Sequence, residues 1–398
     1  MKLIDSIVGQ APAIAALRRE IHAHPELCFQ EVRTADLVAT QLERWGIEMH
    51  RGMGTTGVVG IIRGRDGGAS GRSVGLRADM DALPMQEFNT FSHASKHQGK
   101  MHACGHDGHT AMLLAAAQHL AAQRDFDGTV YTIFQPAEEG GGGAREMIRD
   151  GLFERFPMEA VFGMHNWPGM AVGAFAVSSG PVMASSNEFK ITIRGKGGHA
   201  ALPHTGIDPV PVACQMVQAF QTIVTRNKKP VDTAVISVTM IHTGEATNVI
   251  PDVCEIQGTV RTFTTPVLDL VEQRMREIAQ HTAAAFGARC EFEFVRNYPP
   301  TVNTAAEADF ARAVMRDMVG PDQVLAQEPT MGAEDFAYML QAKPGAYCFI
   351  GNGDGAHREM GHGGGPCTLH NPSYDFNDDL IPLGATYWVE LAKRWLAR

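Results

Sequence analysis

The chain has 398 residues, with 34 basic, 44 acidic and 17 histidine side chains and a formal net charge of -10. No block of lysine and arginine occurs, which argues against nucleic acid or an anionic membrane surface as a partner and leaves small molecules as the expected ligands. Because the hydrophobic core of a single domain stops growing at about 250–300 residues, the length predicts two domains.

The amino-terminal segment and the cysteines predict a cytoplasmic protein. Charges are spread through MKLIDSIVGQAPAIAALRREIHAH without an uninterrupted apolar run, so no secretory signal is expected. No stretch is long and apolar enough to predict a membrane span. The seven cysteines are odd in number and lack paired spacing, which favours a reducing compartment over a disulfide framework.

The first part of the chain predicts alternating helices and strands. Helices are expected at 11–24, before Pro25, and at 31–45, before Gly46. Short apolar or β-branched runs predict strands at 57–62, 73–77, 129–134 and 160–164, with a helix at 109–122. Strands that are apolar throughout are typical of a sheet buried on both faces, so we expect a mostly parallel α/β sheet.

A different pattern occupies residues 185–296. Strands are predicted at 188–194, 233–241, 253–263 and 290–295, and helices at 208–225 and 267–286. This βαββαβ order predicts a compact, ferredoxin-like α+β domain. Helices at 305–318, 334–340 and 380–396 around a strand at 346–351 then resume the first pattern. We therefore predict a discontinuous α/β catalytic domain, 1–184 and 297–398, with a smaller domain inserted at 185–296.

Several residues that can bind metal follow the carboxyl ends of predicted strands, where ligands bind in open α/β sheets. A further group, Cys-Gly-His-Asp-Gly-His at 104–109, lies in a loop that opens a helix. We expect these groups to converge in space. The strand-end residues are Asp79, Asp81, Glu138, Glu139, His165 and His370.

Cys104 and His106 are spaced so that a thiolate and an imidazole from one loop can face a common centre, with Gly105 allowing an unusual backbone angle between them. The alternative is a buried thiol beside helix-capping residues. The polar flanks, which include His102 and Asp107, favour a binding site over an ordinary core loop.

Glu138 and Glu139 directly follow an apolar strand. Neighbouring side chains of extended chain point in opposite directions, so one carboxylate can bind metal while the other faces substrate and water. A solvated acidic turn is the alternative, but Pro136 and the glycines at 140–143 shape this turn more than a surface turn requires.

Two further imidazoles, in addition to His106, complete the candidate set. His165 is a credible donor when it is counted with the other groups, whereas His357, His362 and His370 compete for one role and their local sequence does not choose among them. One thiolate, one carboxylate and three imidazoles exceed the four ligands of a closed zinc site, so two divalent ions are plausible. These ligand types suit Zn, Ni, Co or Mn and leave the metal's identity open.

Motifs in a fixed order across nearly the whole chain resemble one family. They resemble the bacterial hippurate hydrolases and the plant indole-acetyl-amino-acid hydrolases and, more distantly, aminoacylases and metallo-carboxypeptidases. The motifs are HPEL at 24–27, LRADMDALP at 76–84, MHACGHDGH at 101–109, QPAEEG at 135–140, GMH at 163–165, GGHA at 197–200, NVIP at 248–251, GAEDF at 332–336 and LH at 369–370.

The resemblance implies two divalent metal ions, with Glu138 as general base. It also implies that the inserted domain closes over the site and pairs subunits into a homodimer or homotetramer. His199 would reach the substrate in its own subunit or across the dimer, and Asn248 and Arg261 would hold the amino-acid part of the substrate. The implied metal ligands are Cys104, His106, Glu139, His165 and His370.

The chain departs from the wider aminoacylase pattern at Asp79-Met80-Asp81, where that pattern has His-x-Asp. The hippurate hydrolase branch shares this change, so Asp81 is expected to orient a ligand and Asp79 stays open as a ligand. The predicted reaction is metal-dependent hydrolysis of the amide bond of N-acyl amino acids. The alternatives are a dipeptidase or carboxypeptidase with the same chemistry and a metal-bearing binding protein; Glu138 beside Glu139 argues against the last.

Overall fold

The computed structural model describes residues 1–358 and 360–398. The helices α1–α10, in chain order, are Asp5–Ala23, Val32–Arg44, His106–Gln123, Gly143–Arg149, Leu152–Arg155, Pro209–Thr222, Thr265–Ala285, Ala305–Val319, Ala337–Ala342 and Leu380–Leu396. The strands β1–β16 are Glu48–Met53, Gly57–Arg63, Ser73–Asp79, Thr129–Gln135, Val161–Pro168, Phe175–Ala176, Gly180–Met183, Ser186–Arg194, Gly198–His199, Ala234–His242, Val249–Ile250, Val253–Thr262, Arg289–Tyr298, Thr301–Asn303, Val324–Leu325 and Gly345–Gly353.

The chain forms two compact units. The first comprises Met1–Val182, Val302–Glu328 and Asp335–Arg398, and the second comprises Met183–Thr301 and Pro329–Glu334. Among the described residues, no helix has both the length and the apolar composition needed to cross a membrane.

The first unit is built on an eight-stranded sheet of order β1-β2-β4-β3-β5-β16-β6-β15. Its four central strands, β4, β3, β5 and β16, are parallel to one another. Three pairs of strands are antiparallel: β1 with β2, β2 with β4, and β16 with β6. The predicted mostly parallel α/β class is thus confirmed, although the antiparallel pairings toward the two edges were not predicted.

Central strands and helices of the first unit form one core. Every residue of β3 is buried, including the polar Ser73, Arg77 and Asp79. Helix α3 is also buried on most of its surface, and it packs against α1, α10 and β3. A buried strand next to a buried helix gives the residues at their ends fixed positions, because close-packed interiors leave little room for displacement.

The parallel arrangement brings the carboxyl ends of β3 and β4 side by side. Asp79, the last residue of β3, pairs in register with Gln135, the last residue of β4. Helix α3 begins at His106, three residues before the predicted start, because the preceding Gly105 has φ 91° and turns the chain directly into the helix. This turn places Cys104 and His106 beside the strand ends.

The second unit contains a four-stranded antiparallel sheet of order β10-β12-β8-β13. Helices α6 and α7 pack against each other and onto β8, β12 and β13. The chain order β8-α6-β10-β12-α7-β13 is the predicted βαββαβ pattern, and the spatial order is that of a ferredoxin-like unit.

Besides α3, helices α1 and α9 start three or more residues away from their predicted starts. Helix α1 begins at Asp5 instead of residue 11. The buried residues Ile7, Ile14 and Ile21 lie on one apolar face, and the helix continues through Pro12 to keep that face buried. The helix expected at 334–340 is wrong at its start, since α9 begins at Ala337. The Asp335 carboxylate is drawn into long-range hydrogen bonds, which a local pattern does not encode.

Strand β1 was missed by the prediction. Its sequence, Glu48–Met53, is mostly polar and most of its side chains are at least partly exposed, because it lies at the edge of the sheet, next to β2. An edge strand of this kind lacks the apolar run that marks a buried strand.

Candidate metal centre

The five predicted ligands come together at the edge of the sheet formed by the carboxyl ends of β3 and β4. Cys104 Sγ lies 3.3 Å from His165 Nε2, and His370 Nε2 lies 3.0 Å from Glu139 Oε1. Cys104 belongs to two groups, one with His106 and His165 and one with Glu139 and His370, and within each group the ligand atoms lie within 4.8 Å of one another. Zinc–ligand bonds of about 2.0–2.3 Å put neighbouring tetrahedral ligands about 3.3–3.8 Å apart, so the two groups offer places for two cations.

Asn166 ties three of the contributing segments together. Its Nδ2 donates to Cys104 O at 2.7 Å, and its Oδ1 accepts the Tyr374 hydroxyl at 2.7 Å. His370 is held by its own N–H, which donates to Ala103 O at 2.8 Å. These bonds connect the loop that leads into α3, strand β5 and the segment before α10.

Asp81 orients His106. Its Oδ1 lies 3.3 Å from His106 Nδ1, and its two oxygens also accept the N–H groups of Glu138 and Glu139 at 3.0 and 2.9 Å. Burial raises the pKa of Asp81, but His106 and these N–H groups outweigh it and keep the pKa below its usual value. The ionised Asp81 therefore accepts a hydrogen bond from His106 Nδ1–H, which leaves His106 Nε2 to face the centre.

His165 has the protonation state of a neutral metal ligand. Its Nδ1 donates to Asn166 O at 2.7 Å, which leaves Nε2 without a proton in the neutral ring. Burial, aided by His109, lowers the pKa of His165 well below its ordinary value. A neutral imidazole with its Nε2 lone pair directed at a thiol is the form that binds metal.

His106 Nε2 and the Cys104 thiol test whether a metal fits these residues. Among the described residues, the buried His106 Nε2 has no hydrogen-bond partner. Burial and the carboxylates of Glu139 and Glu138 raise the pKa of the Cys104 thiol well above its usual value. A buried cation supplies the missing partner of the imidazole and reverses the effect on the thiol, which ionises when it coordinates. The residues therefore fit divalent metal.

Asp79 and His109 form a hydrogen-bonded pair next to the candidate ligands. Asp79 Oδ1 lies 2.6 Å from His109 Nδ1, and its Oδ2 accepts Arg77 Nη1 at 2.6 Å. His109 Nε2 accepts the Asn166 N–H at 2.9 Å, so both ring nitrogens are engaged. Both residues lie in motifs noted above, and only these bonds reveal that they act together.

The Glu138–Glu139 turn has a different geometry from the predicted one. Extended chain would separate the two carboxylates, but Ala137 has φ 53° and the residues form a turn. A carboxylate oxygen of each glutamate lies within 4.8 Å of a His106 nitrogen. Glu138 is buried, and its Oε1 accepts the Asp335 N–H at 3.3 Å. Both acids thus reach the same centre.

Comparison with known proteins identifies the family. Residues 75–394 match the model of peptidase family M20/M25/M40. The chain belongs to this family. A hippurate hydrolase of Campylobacter jejuni is 39% identical over 100% of both chains. The IAA-amino acid hydrolase ILR1-like 4 of Arabidopsis thaliana is also 39% identical, over 96% of this chain and 86% of the relative.

A solved structure extends the comparison to the fold. The Bacillus subtilis YXEP protein, described as a dinuclear metal binding peptidase from the M20 family, superposes with a TM-score of 0.83 at 35% identity, covering 98% of this chain and 99% of the other. The resemblance to the hippurate hydrolase branch of this family is therefore confirmed. The M20 fold also agrees with the predicted α/β class.

The structure separates the three carboxyl-terminal histidines of this M20 chain. His370 is the one beside Glu139, whereas His362 Nε2 lies 3.2 Å from Asp375 Oδ2 and His357 Nε2 lies 3.3 Å from Asp375 O. The last two histidines therefore belong to a different hydrogen-bond cluster.

The second unit of the M20 chain holds the remaining predicted residues. His199 is exposed on β9 and pairs in register with Val249 of β11, and Ala200 N donates to Asn248 O at 3.0 Å, so His199 and Asn248 are neighbours. Arg261 is partly buried on β12, opposite Val235 of β10.

Proposed function

We propose that this M20 enzyme hydrolyses the amide bond of N-acyl amino acids, releasing a carboxylic acid and an amino acid. The observation that carries the proposal is the buried Glu138 carboxylate beside the two ligand groups that share Cys104. Two relatives that match most of the chain support the substrate class, because their names describe an acyl group on the nitrogen of an amino acid.

Two divalent cations fit the proposed ligand set. When bound, they supply a Lewis acid that polarises the scissile carbonyl and acidifies a water molecule. Zn, Mn, Ni and Co all suit a site of one thiolate, one carboxylate and three imidazoles. The proposed ligands are Cys104, His106, Glu139, His165 and His370.

Glu138 is the proposed general base. The hydrogen bond from the Asp335 N–H fixes the orientation of its carboxylate. In that position Glu138 accepts the proton of the attacking water and then returns it to the nitrogen of the leaving amino acid. Asp81 serves this step indirectly, because it holds His106 and the backbone N–H groups of Glu138 and Glu139.

Three residues of the second unit are proposed to contact the substrate. His199 Nδ1 accepts the Ala201 N–H at 3.0 Å, so a neutral ring carries its proton on Nε2 and can stabilise the developing oxyanion. Asn248 lies beside it. Arg261 offers a planar fork for the substrate carboxylate, and Arg261→Ala is expected to weaken binding of N-acyl amino acids far more than of N-acyl amides without that carboxylate. Equal losses on both substrates would refute this pairing.

The assembly we propose is a cytoplasmic homodimer or homotetramer that pairs through the second unit. Strand β10 is an edge strand of its sheet and exposes Met240 and Ile241, and apolar edge strands pair readily with a second chain. All seven cysteines lie in the described residues and are free, which suits a reducing compartment. Sedimentation of the parent and of Met240→Lys tests the assembly, and identical behaviour would contradict this surface.

Glu138→Gln tests the central assignment. Loss of general acid–base catalysis should lower kcat by about 10²–10⁴-fold, while metal content measured by elemental analysis stays that of the parent. The assay uses N-benzoylglycine and N-acetyl amino acids with defined divalent metal. Near-parental turnover of Glu138→Gln would remove the base assignment.

A dipeptidase or carboxypeptidase is the second candidate, because the same residues cleave any suitable amide and the B. subtilis neighbour is described as a peptidase. The two functions differ in what lies on the acyl side of the bond. Preference for dipeptides with a free amino terminus over their N-acylated counterparts would favour the peptidase.

A further inference from the structure

Glu31 follows the HPEL motif at 24–27, and the proposed metal centre does not use it. It is fully buried and immediately precedes α2, but its carboxylate does not cap that helix. A buried carboxylate needs hydrogen-bond donors from elsewhere. Glu31 finds them in three separate segments of the first unit.

The donors are two backbone N–H groups and one hydroxyl. Oε1 accepts the Ala137 N–H at 2.8 Å and the Phe29 N–H at 3.1 Å, and Oε2 accepts the Thr56 hydroxyl at 2.6 Å. One side chain thus joins the segment after the HPEL motif, the β1–β2 turn and the turn that carries Glu138.

These donors coincide with unusual backbone. Only five non-glycine residues within 1–358 and 360–398 have positive φ, and they include Phe29 at 62°, Ala137 at 53° and Thr55 at 84°. The first two donate to Glu31, and the third adjoins the donor Thr56. Left-handed backbone is disfavoured for L-residues, so it persists where surrounding contacts impose it.

The left-handed Ala137 directly precedes Glu138 and Glu139. A Cβ added at Gly141 would lie 2.7 Å from Ala137 Cβ and 3.0 Å from the Phe29 ring, so the glycine run closes tightly over both residues. The conformation of Ala137 therefore decides where the two following carboxylates lie.

We propose that Glu31 is a positioning residue for this turn: by holding Phe29 and Ala137 in left-handed backbone, it sets the places of the Glu138 and Glu139 carboxylates. Glu31 itself touches neither substrate nor metal in this scheme. The inference rests on the proposed function of Glu138 and Glu139.

Four variants test the inference in the metal-loaded full-length enzyme: Glu31→Ala, Glu31→Gln, Ala137→Gly and the double variant Glu31→Ala/Ala137→Gly. Glu26→Ala is the matched control. The Glu26 carboxylate accepts the N–H groups of Arg33 and Thr34 at 3.0 and 2.9 Å, and it makes no bond to the Glu138 turn. The readouts are kcat and KM for N-benzoylglycine and the stoichiometry and spectrum of bound Co²⁺.

Glu31→Ala should lower kcat on the order of 10²-fold, the loss typical of a misplaced catalytic group. Its KM should change little, and its second Co²⁺ should bind more weakly, because Glu139 moves with the turn. Glu31→Gln keeps an oxygen acceptor for both N–H groups and should stay within about 10-fold of the parent. Ala137→Gly should restore kcat by about 10-fold or more in the Glu31→Ala background, since glycine adopts positive φ without the clamp.

Parental kcat and Co²⁺ binding in Glu31→Ala would overturn the inference, as would the absence of rescue by Ala137→Gly or an equal loss in Glu26→Ala. If Glu31→Ala does not fold, Glu31→Asp replaces it, because the shorter carboxylate cannot reach both N–H groups and the same loss and rescue are expected. Failure of the proposed function is distinguishable, since it appears as normal turnover in Glu138→Gln whatever Glu31 does.

Discussion

Arg18 is the centre of a buried ion network in the first unit, and its neighbour Arg19 provides an internal control. The Arg18 side chain is 1% exposed and bonds Asp378 at 2.7 Å, Asp375 at 2.9 Å and Asp107 at 3.4 Å. The Arg19 side chain is 52% exposed and bonds only Asp378 in the described network, at 2.8 Å. Both arginines lie on α1 and share Asp378, but they differ in burial and in the number of carboxylates they bind.

Arg18→Met keeps the length of the side chain and removes its charge. Asp107 and Asp375 then remain buried without the guanidinium, and breaking a buried pair in this way costs about 3–5 kcal/mol of unfolding free energy. Arg19→Met breaks an exposed pair and should cost about 0.2–1 kcal/mol. The measurement is equilibrium urea unfolding followed by circular dichroism, with the slope compared to confirm that both variants unfold like the parent.

The pH dependence gives an independent check. Burial raises the pKa of Asp375, but Arg18, together with the histidines His362, His93 and His22, outweighs burial and holds the pKa well below its usual value. A carboxylate with a lowered pKa contributes stability above its unfolded pKa and loses it as pH falls through the folded value. Removal of Arg18 raises the Asp375 pKa, so the deficit of Arg18→Met should shrink on acidification from about pH 7 to about pH 5. Equal small losses in both variants, or a deficit that grows at low pH, would refute the reasoning.

Two further predictions concern backbone and charge near the centre. Gly105→Ala should destabilise the fold by about 1–3 kcal/mol more than Gly140→Ala. Both glycines have positive φ, but a Cβ at Gly105 would lie 2.3 Å from Asn166 Nδ2, whereas a Cβ at Gly140 would meet no atom within 4 Å. Equal losses of stability in thermal denaturation would contradict this. Burial, with a further contribution from Asp81, raises the pKa of Glu31 to about 7. The folded protein therefore binds a proton more tightly than the unfolded chain, and the parent should lose about 3 kcal/mol of unfolding free energy as pH rises from about 4.5 to 7. Glu31→Gln has no such group and should not show this loss. A stability difference between these two proteins that is independent of pH would exclude this effect.

Local pattern was sufficient for the type of most elements. Runs of mostly apolar or β-branched residues predicted β2, β3, β4 and β5, because strands buried on both faces are rich in such side chains. The parallel order then implied that residues after β3 and β4 would meet at one edge, and the structure brings Asp81 and Glu138 together there. The polar edge strand β1 carried no such pattern and was missed.

The local sequence did not choose among His357, His362 and His370, because the three lie in similar glycine-rich or polar sequence, and only the family resemblance implied His370. Packing gives the physical reason, since it places His370 beside Glu139 and the other two beside Asp375. The tertiary structure also showed that the Glu138–Glu139 pair lies in a turn and not in extended chain. The sequence determined which side chains could bind metal and which helices, strands or loops carry them, since the periodicity of buried residues is a local property. The bond between Glu31 and Ala137 spans 106 residues, and such partners are chosen only when distant segments pack together.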